Sequence, residues 1–320
     1  MYLIEDMEVM RHERWREDAR GWGVARPAPI RQLALGDAEF PAHLRAIPAP
    51  PDRLWVRGRL LDEDALAIAI VGSRRATPFG LELAERLAGD LAARAITVVS
   101  GLARGIDSAA HRGALEAGGR TIAVLGCGVD VVYPPENRRL AARIAERGAL
   151  LSQFAPGAPA LAHHFPVRNR VIAGLGLGVV VVEAAEQSGT LITAGHAGDL
   201  GREVMAVPGR AGAPTSRGTH RLIRDGAALV ESWEDVVALL PARWRACVAA
   251  GPPAPSAGAG DSQDTDPLLD LIGTEPVTME ELIGRSGLTA SRAAARLLAL
   301  ELEGRVRQLP GKRFVRAAYP

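Results

Sequence analysis

The chain has 320 residues, of which 48% are hydrophobic and 23% charged, enough apolar material for one to three packed domains. A formal net charge of +1 excludes a globally basic nucleic-acid binder, so any polyanion site must be a local patch. Two cysteines, Cys127 and Cys247, make neither a disulfide framework nor a metal site, and no apolar run is long enough for a membrane span.

Residues 1–30 are charged, with Met7 to Arg20 a possible short helix. Residues 31–60 carry Phe40-Pro41, Ile47-Pro48 and Pro50-Pro51 before Leu54-Trp55-Val56. Residues 1–60 together read as an N-terminal extension and a lead-in that packs on the main domain.

From Ala67 the pattern is regular. Ala67–Val71 is a continuous apolar run, as in a strand buried on both faces. Thr77-Pro78 supplies an N-cap and first helical residue for a helix to about Arg94. Ile96–Ser100 and Thr121–Leu125 are further strands, and Asp107 is placed to cap the helix between them. A helix over Asn137–Arg147 and a short strand over Ala149–Ser152 follow. In the segment Phe165-Pro166-Val167-Arg168-Asn169-Arg170, Pro166 suits the first turn of a helix, and Val171, Ile172 and Leu175 fall on its inward face. Val179–Val182 is the most apolar strand, and Ser188-Gly189-Thr190 opens the next helix. Val204–Val207, Ser216–Asp225, Ala228–Val230 and Trp233–Leu240 complete the series. Strands alternating with helices over 61–240 predict a doubly wound, mostly parallel α/β sheet.

Residues 241–266, rich in Pro, Gly and Ala, read as a flexible linker. Residues 267–320 read as three helices (266–273, 278–286 and 289–303) and a hairpin, the winged-helix arrangement, with Thr278 and Glu281 forming a capping box.

Ligands of a doubly wound sheet bind at the carboxyl ends of its strands. Here those ends carry Gly72-Ser73-Arg74-Arg75, Gly101 with Arg104-Gly105, Arg168-Asn169-Arg170, Ser188-Gly189-Thr190 and Pro208-Gly209. Glycines let backbone N–H groups approach an anion, and two arginines in the first turns of a helix conflict with its positive end unless a polyanion neutralises them. The loops match neither the dinucleotide fingerprint nor the P-loop, and the histidines show no metal spacing. Glu183 is the best remaining acid or base, and it is expected to be ionised and held by Arg168 or Arg170. Anion-binding groups without a placed nucleophile favour a binding protein, without cofactor or catalysis, over an enzyme.

At these residues the chain resembles the DprA/Smf family of DNA-processing proteins. The likeness spans about residues 33–240 and runs through Gly72-Ser73-Arg74, Ser100–Asp107 with Ala110-His111, Leu125–Asp130 with Tyr133-Pro134, Phe165–Arg170, Ser188–Ala194, Val207–Gly209 and Leu222-Ile223. It implies an extended Rossmann-like domain that binds single-stranded DNA independently of sequence. It also implies a homodimer, in the cytoplasm, that protects incoming DNA and loads the recombinase RecA in natural transformation. By matching motifs, Ser73, Arg74, Arg104, Arg168, Asn169 and Arg170 take the DNA-binding role. Gly72, Arg75, Gly101, Phe165, Ser188, Gly189 and Thr190 complete the expected interface, with Phe165 either stacking on a base or buried under its helix. The C-terminal module resembles the family's winged helix. Residues 1–30 are too short for the family's N-terminal helical domain, and His220 stands where the family usually has Asn. The rival readings are a nucleotide-processing hydrolase on a related fold, of which Ser188-Gly189-Thr190 is a faint echo, and a transcription regulator acting through the winged helix.

Overall fold

The computed structural model describes residues 28–249 and, near the C-terminus, 268, 271–272, 277–286, 288, 293, 296–297, 300–301, 306–309 and 313–316. The proposed Met7–Arg20 helix, most of the linker and much of the first and third winged-helix helices lie outside the described residues. The chain divides into two units, 1–253 and 254–320.

The first unit begins with β1 (Ile30–Ala34), α1 (Ala42–Arg45) and β2 (Arg53–Gly58). The alternating part follows: β3 (Ala67–Val71), α2 (Pro78–Ala92), β4 (Thr97–Ser100), α3 (Ile106–Glu116), β5 (Thr121–Val124), α4 (Arg138–Arg147) and β6 (Ala149–Ser152). It continues with α5 (His164–Leu175), β7 (Gly178–Val181), α6 (Gly189–Asp199), β8 (Glu203–Ala206), α7 (Arg217–Arg224), β9 (Ala228–Leu229), α8 (Trp233–Ala238) and α9 (Ala242–Ala249). The strands form one sheet in the order β1-β2-β6-β5-β4-β3-β7-β8-β9. Pairing is parallel from β6 through β9 and antiparallel at β1–β2 and β2–β6. The lead-in therefore supplies two strands of the sheet rather than only packing on it.

The apolar run of β3 is explained by cover on both faces. Ala67, Ala69 and Val71 pack with Val171, Ile172 and Leu175 of α5 and Ala194 and Ala197 of α6. Ile68 and Ile70 face Leu83, Leu87 and Leu91 of α2 and Ile106 and Ala109 of α3. Thr77 caps α2, its side chain accepting the Gly80 N–H at 3.1 Å, with Pro78 at the first helical position. The expected linker contains α9 at its start, whose Trp244 packs against the core beside His43.

In the second unit, β10 (Val277–Thr278), β11 (Val306–Leu309) and β12 (Arg313–Arg316) form a sheet in the order β10-β12-β11, and α10 (Met279–Ser286) follows β10. Thr278 and Glu281 make the expected capping box: the Glu281 carboxylate accepts the Thr278 N–H at 2.9 Å, and the Glu281 N–H donates to Thr278 Oγ1 at 3.3 Å. Leu268, Ile272, Leu282, Leu297, Val306 and Phe314 form a separate core. Among the described residues, no helix is long and apolar enough to cross a membrane.

Candidate functional site

Strand order reverses between β3 and β7, so the loops after these strands flank the crevice where a doubly wound sheet takes its ligand. Ser188 caps α6 by accepting the Thr190 N–H at 3.2 Å, and Thr190 Oγ1 donates to the Gly72 carbonyl at 3.0 Å. Asn169 Nδ2 lies 3.4 Å from the Gly189 carbonyl. Gly72, Asn169, Ser188, Gly189 and Thr190 thus come together as expected.

The loops carrying Arg74 and Arg104 are laced backbone to backbone. The Ile106 N–H donates to the Ser73 carbonyl at 3.2 Å. Gly105 makes this possible: it has φ +74°, and a Cβ there would stand 2.2 Å from the Ser73 oxygen. Arg74 and Arg75 are exposed, and the Arg75 N–H donates to Ser73 Oγ at 3.1 Å. The Arg74 guanidinium carbon lies 5.4 Å from the centroid of the half-buried Phe165 ring. Tyr133, exposed, has its ring 5.9 Å from the same ring. Cation and aromatic surface therefore meet at the rim of the crevice. Arg104 is exposed and ion-paired with Glu136.

Arg168 departs from expectation. It is only 4% exposed, and its Nη1 donates to the carbonyls of Gly101 and, at 2.7 Å, Val124. Its Nε donates to Asn169 Oδ1 at 3.1 Å. Burial pushes its pKa down while nearby Asp107 opposes that shift. Arg168 therefore ties strand ends together from beneath. A Cβ at Gly101 would strike its guanidinium, so the close approach requires glycine. Arg170 donates to the Pro48 carbonyl, fastening the lead-in.

Two further expectations are corrected. Glu183 is buried but is not held by an arginine: its carboxylate accepts the Thr77 N–H at 2.9 Å and the Thr77 hydroxyl at 2.5 Å, at the start of α2. A helix start stabilises a carboxylate, which explains the pairing. Asp107 does not cap α3, whose N-cap is Gly105. Its buried carboxylate accepts the N–H groups of Gly101 and Ala103 at 3.2 and 3.3 Å and so shapes the preceding loop. Burial pushes its pKa up, and Arg168 opposes that shift. His220 brackets Gly209, its Nε2 lying 3.3 Å from that residue's N and 3.0 Å from its O.

Sequence reasoning gave no role to Tyr133, Arg112 or Asn137. Tyr133 was visible as an aromatic residue in a strand-end loop. Asn137 binds the Leu102 carbonyl at 2.8 Å and Ser108 Oγ at 2.9 Å, a pairing no local pattern announces.

The family model described as DNA recombination-mediator protein A matches residues 31–241, and that of the DprA winged helix domain matches residues 252–312. The chain belongs to the DprA/Smf family. Protein Smf of Escherichia coli is 41% identical over 293 residues, covering 88% of this chain and 77% of that protein. DNA processing protein DprA of Streptococcus pneumoniae is 45% identical over 206 residues, covering 64% and 73%. The X-ray structure of the pneumococcal protein superposes with a TM-score of 0.63 at 43% identity, covering 66% of this chain and 75% of that one. A structure of DNA processing protein A from Helicobacter pylori, described for its single-stranded DNA binding mode, matches with a TM-score of 0.60 at 25% identity, covering 70% and 98%. This chain is thus a DNA-processing protein of that family, with the mostly parallel α/β sheet and the winged-helix domain expected.

Proposed function

We propose that the protein binds single-stranded DNA without reading its sequence, through the strand-end crevice. The observation that carries this reading is the Arg74–Phe165 pair at the crevice rim, where a guanidinium and an aromatic face can take a phosphate and a base side by side. Stacking on such a ring contributes about 1–3 kcal/mol per base and tolerates any sequence. The Helicobacter pylori relative, described for its single-strand binding mode, supports the ligand class.

In this reading the protein acts by binding alone. Glu183, the best candidate acid or base, is engaged with Thr77, and burial pushes the Cys127 thiol up to about 11, which keeps it from being a ready nucleophile. On the wider family pattern we place the protein in the cytoplasm, as a homodimer that protects incoming strands and helps RecA assemble on them during natural transformation.

Fluorescence anisotropy with a single-stranded oligonucleotide and its duplex, each titrated with salt, tests the reading. Tighter single-strand binding with little dependence on sequence is expected. Preference for duplex, or release of base from nucleoside monophosphates, would overturn it.

A further inference from the structure

Beside the crevice a second basic hollow opens at the beginnings of α2 and α3. Its volume is about 320 Å³, and it is lined by Arg74, Arg75, Arg104, Arg112 and Asn137 with Gly105 among its walls. A space of this size suits one nucleotide of a chain rather than an ion alone. Four arginines share it, though sequence spacing scatters them over two loops and a helix.

The hollow is built rather than accidental. Gly105 and the Ile106 N–H to Ser73 carbonyl bond fix the two loops against each other. Asn137 ties the Leu102 carbonyl to Ser108 on its floor. Among the described residues, no carboxylate lies within ion-pair range of Arg74 or Arg75. Arg104 pairs with Glu136, and Arg112 with Glu85 at 3.5 Å, both at exposed or half-exposed positions. Such surface pairs are worth at most about 1 kcal/mol, so a phosphate can displace the carboxylates at little cost.

We infer that this hollow is a second segment of the single-strand track, taking the sugar-phosphate backbone of nucleotides that continue past Phe165. Arg74 belongs to both segments, since its guanidinium lies over Phe165 and it also lines the hollow. Arg75 and Arg112 belong to the second segment alone. The inference rests on the single-strand reading above and adds a direction and a length to it. A strand long enough to cover both segments gains the second set of phosphates, whereas a short strand held at Phe165 does not.

The test compares the full chain with its Arg75→Ala/Arg112→Ala variant, using labelled oligothymidylates of about 4–6 and about 16–20 nucleotides. Both side chains are at least partly exposed, so the variant should keep the thermal midpoint of the parent protein. The expected result is roughly tenfold weaker binding of the long strand, with its salt slope reduced by about 1.4 for two lost phosphate contacts, and no more than about twofold change for the short strand. Equal loss on both lengths, or no loss on either, overturns the second segment while leaving the crevice reading intact. Competition with thymidine monophosphate separates a chain segment from a site for free nucleotide. If the free nucleotide displaces the long strand as well as the short oligonucleotide does, the hollow is not part of a track. Failure of the parent protein to bind either strand removes the crevice reading and the track with it.

Discussion

Arg168 lies by Phe165 with its guanidinium carbon 5.6 Å from the ring centroid, while its N–H groups bind the carbonyls of Gly101 and Val124. It supports the aromatic surface and the loop at the end of β4 together. Arg168→Ala should therefore cost about 3 kcal/mol of stability, since Asp107 and two carbonyls lose a buried partner. Single-strand affinity should fall with the salt slope unchanged. Urea unfolding and a salt titration of the same preparation check this. A slope lowered by about 0.7 at unchanged stability would make Arg168 a phosphate ligand after all.

The burial of Arg168 was legible in the spacing. It stands three and four positions before Val171 and Ile172 and seven before Leu175, on the inward face of α5. The charge of its side chain pointed to an outside ligand, and the periodicity pointed inward. The strands β3 and β7 and the caps Thr77, Ser188 and Thr278 were readable because they depend on neighbours in sequence. The antiparallel strands β1 and β2 were not, because they join the sheet only where β2 pairs with β6, far along the chain. The Glu183–Thr77 contact spans 106 positions, and no local pattern encodes it.

His111 sets a pH dependence. Burial, then the charge of Arg168, lowers its pKa to about 3. The Thr121 hydroxyl donates to the Val98 carbonyl, so His111 Nδ1 is the donor to Thr121 Oγ1, and Nε2 carries no proton. The folded state holds the ring neutral, whereas the unfolded chain protonates it below about 6.5. Its contribution to stability is full above that value and is lost as the pH falls toward 3. Between pH 7 and pH 5 the loss should be about 2 kcal/mol. His111→Gln, which keeps a donor for Thr121, should flatten that part of the stability profile. Parallel profiles for both proteins would refute the assignment.

Glu183→Gln should weaken the start of α2 by about 1 kcal/mol and leave single-strand binding within about twofold. We expect no hydrolysis of nucleotides and no nicking of DNA by either protein. Turnover by the pure parent protein that disappears in Glu183→Gln would identify an enzyme.

A fragment ending at Pro253 should stay folded and bind single strands, because residues 1–253 form one unit. A fragment ending at Pro241 loses α9 and the cover that Trp244 gives the core. It should melt several degrees lower, as expected for loss of about 1–2 kcal/mol. Equal melting of the two fragments would show that α9 adds nothing.

The most direct test of the single-strand reading is the salt dependence of single-strand affinity for Arg74→Ala beside the parent protein. Arg74 is exposed, so its removal should leave the fold unchanged. The expected result is weaker binding of every sequence tried, with a salt slope lower by about 0.7. Unchanged affinity and slope in the folded variant would contradict binding at the crevice rim.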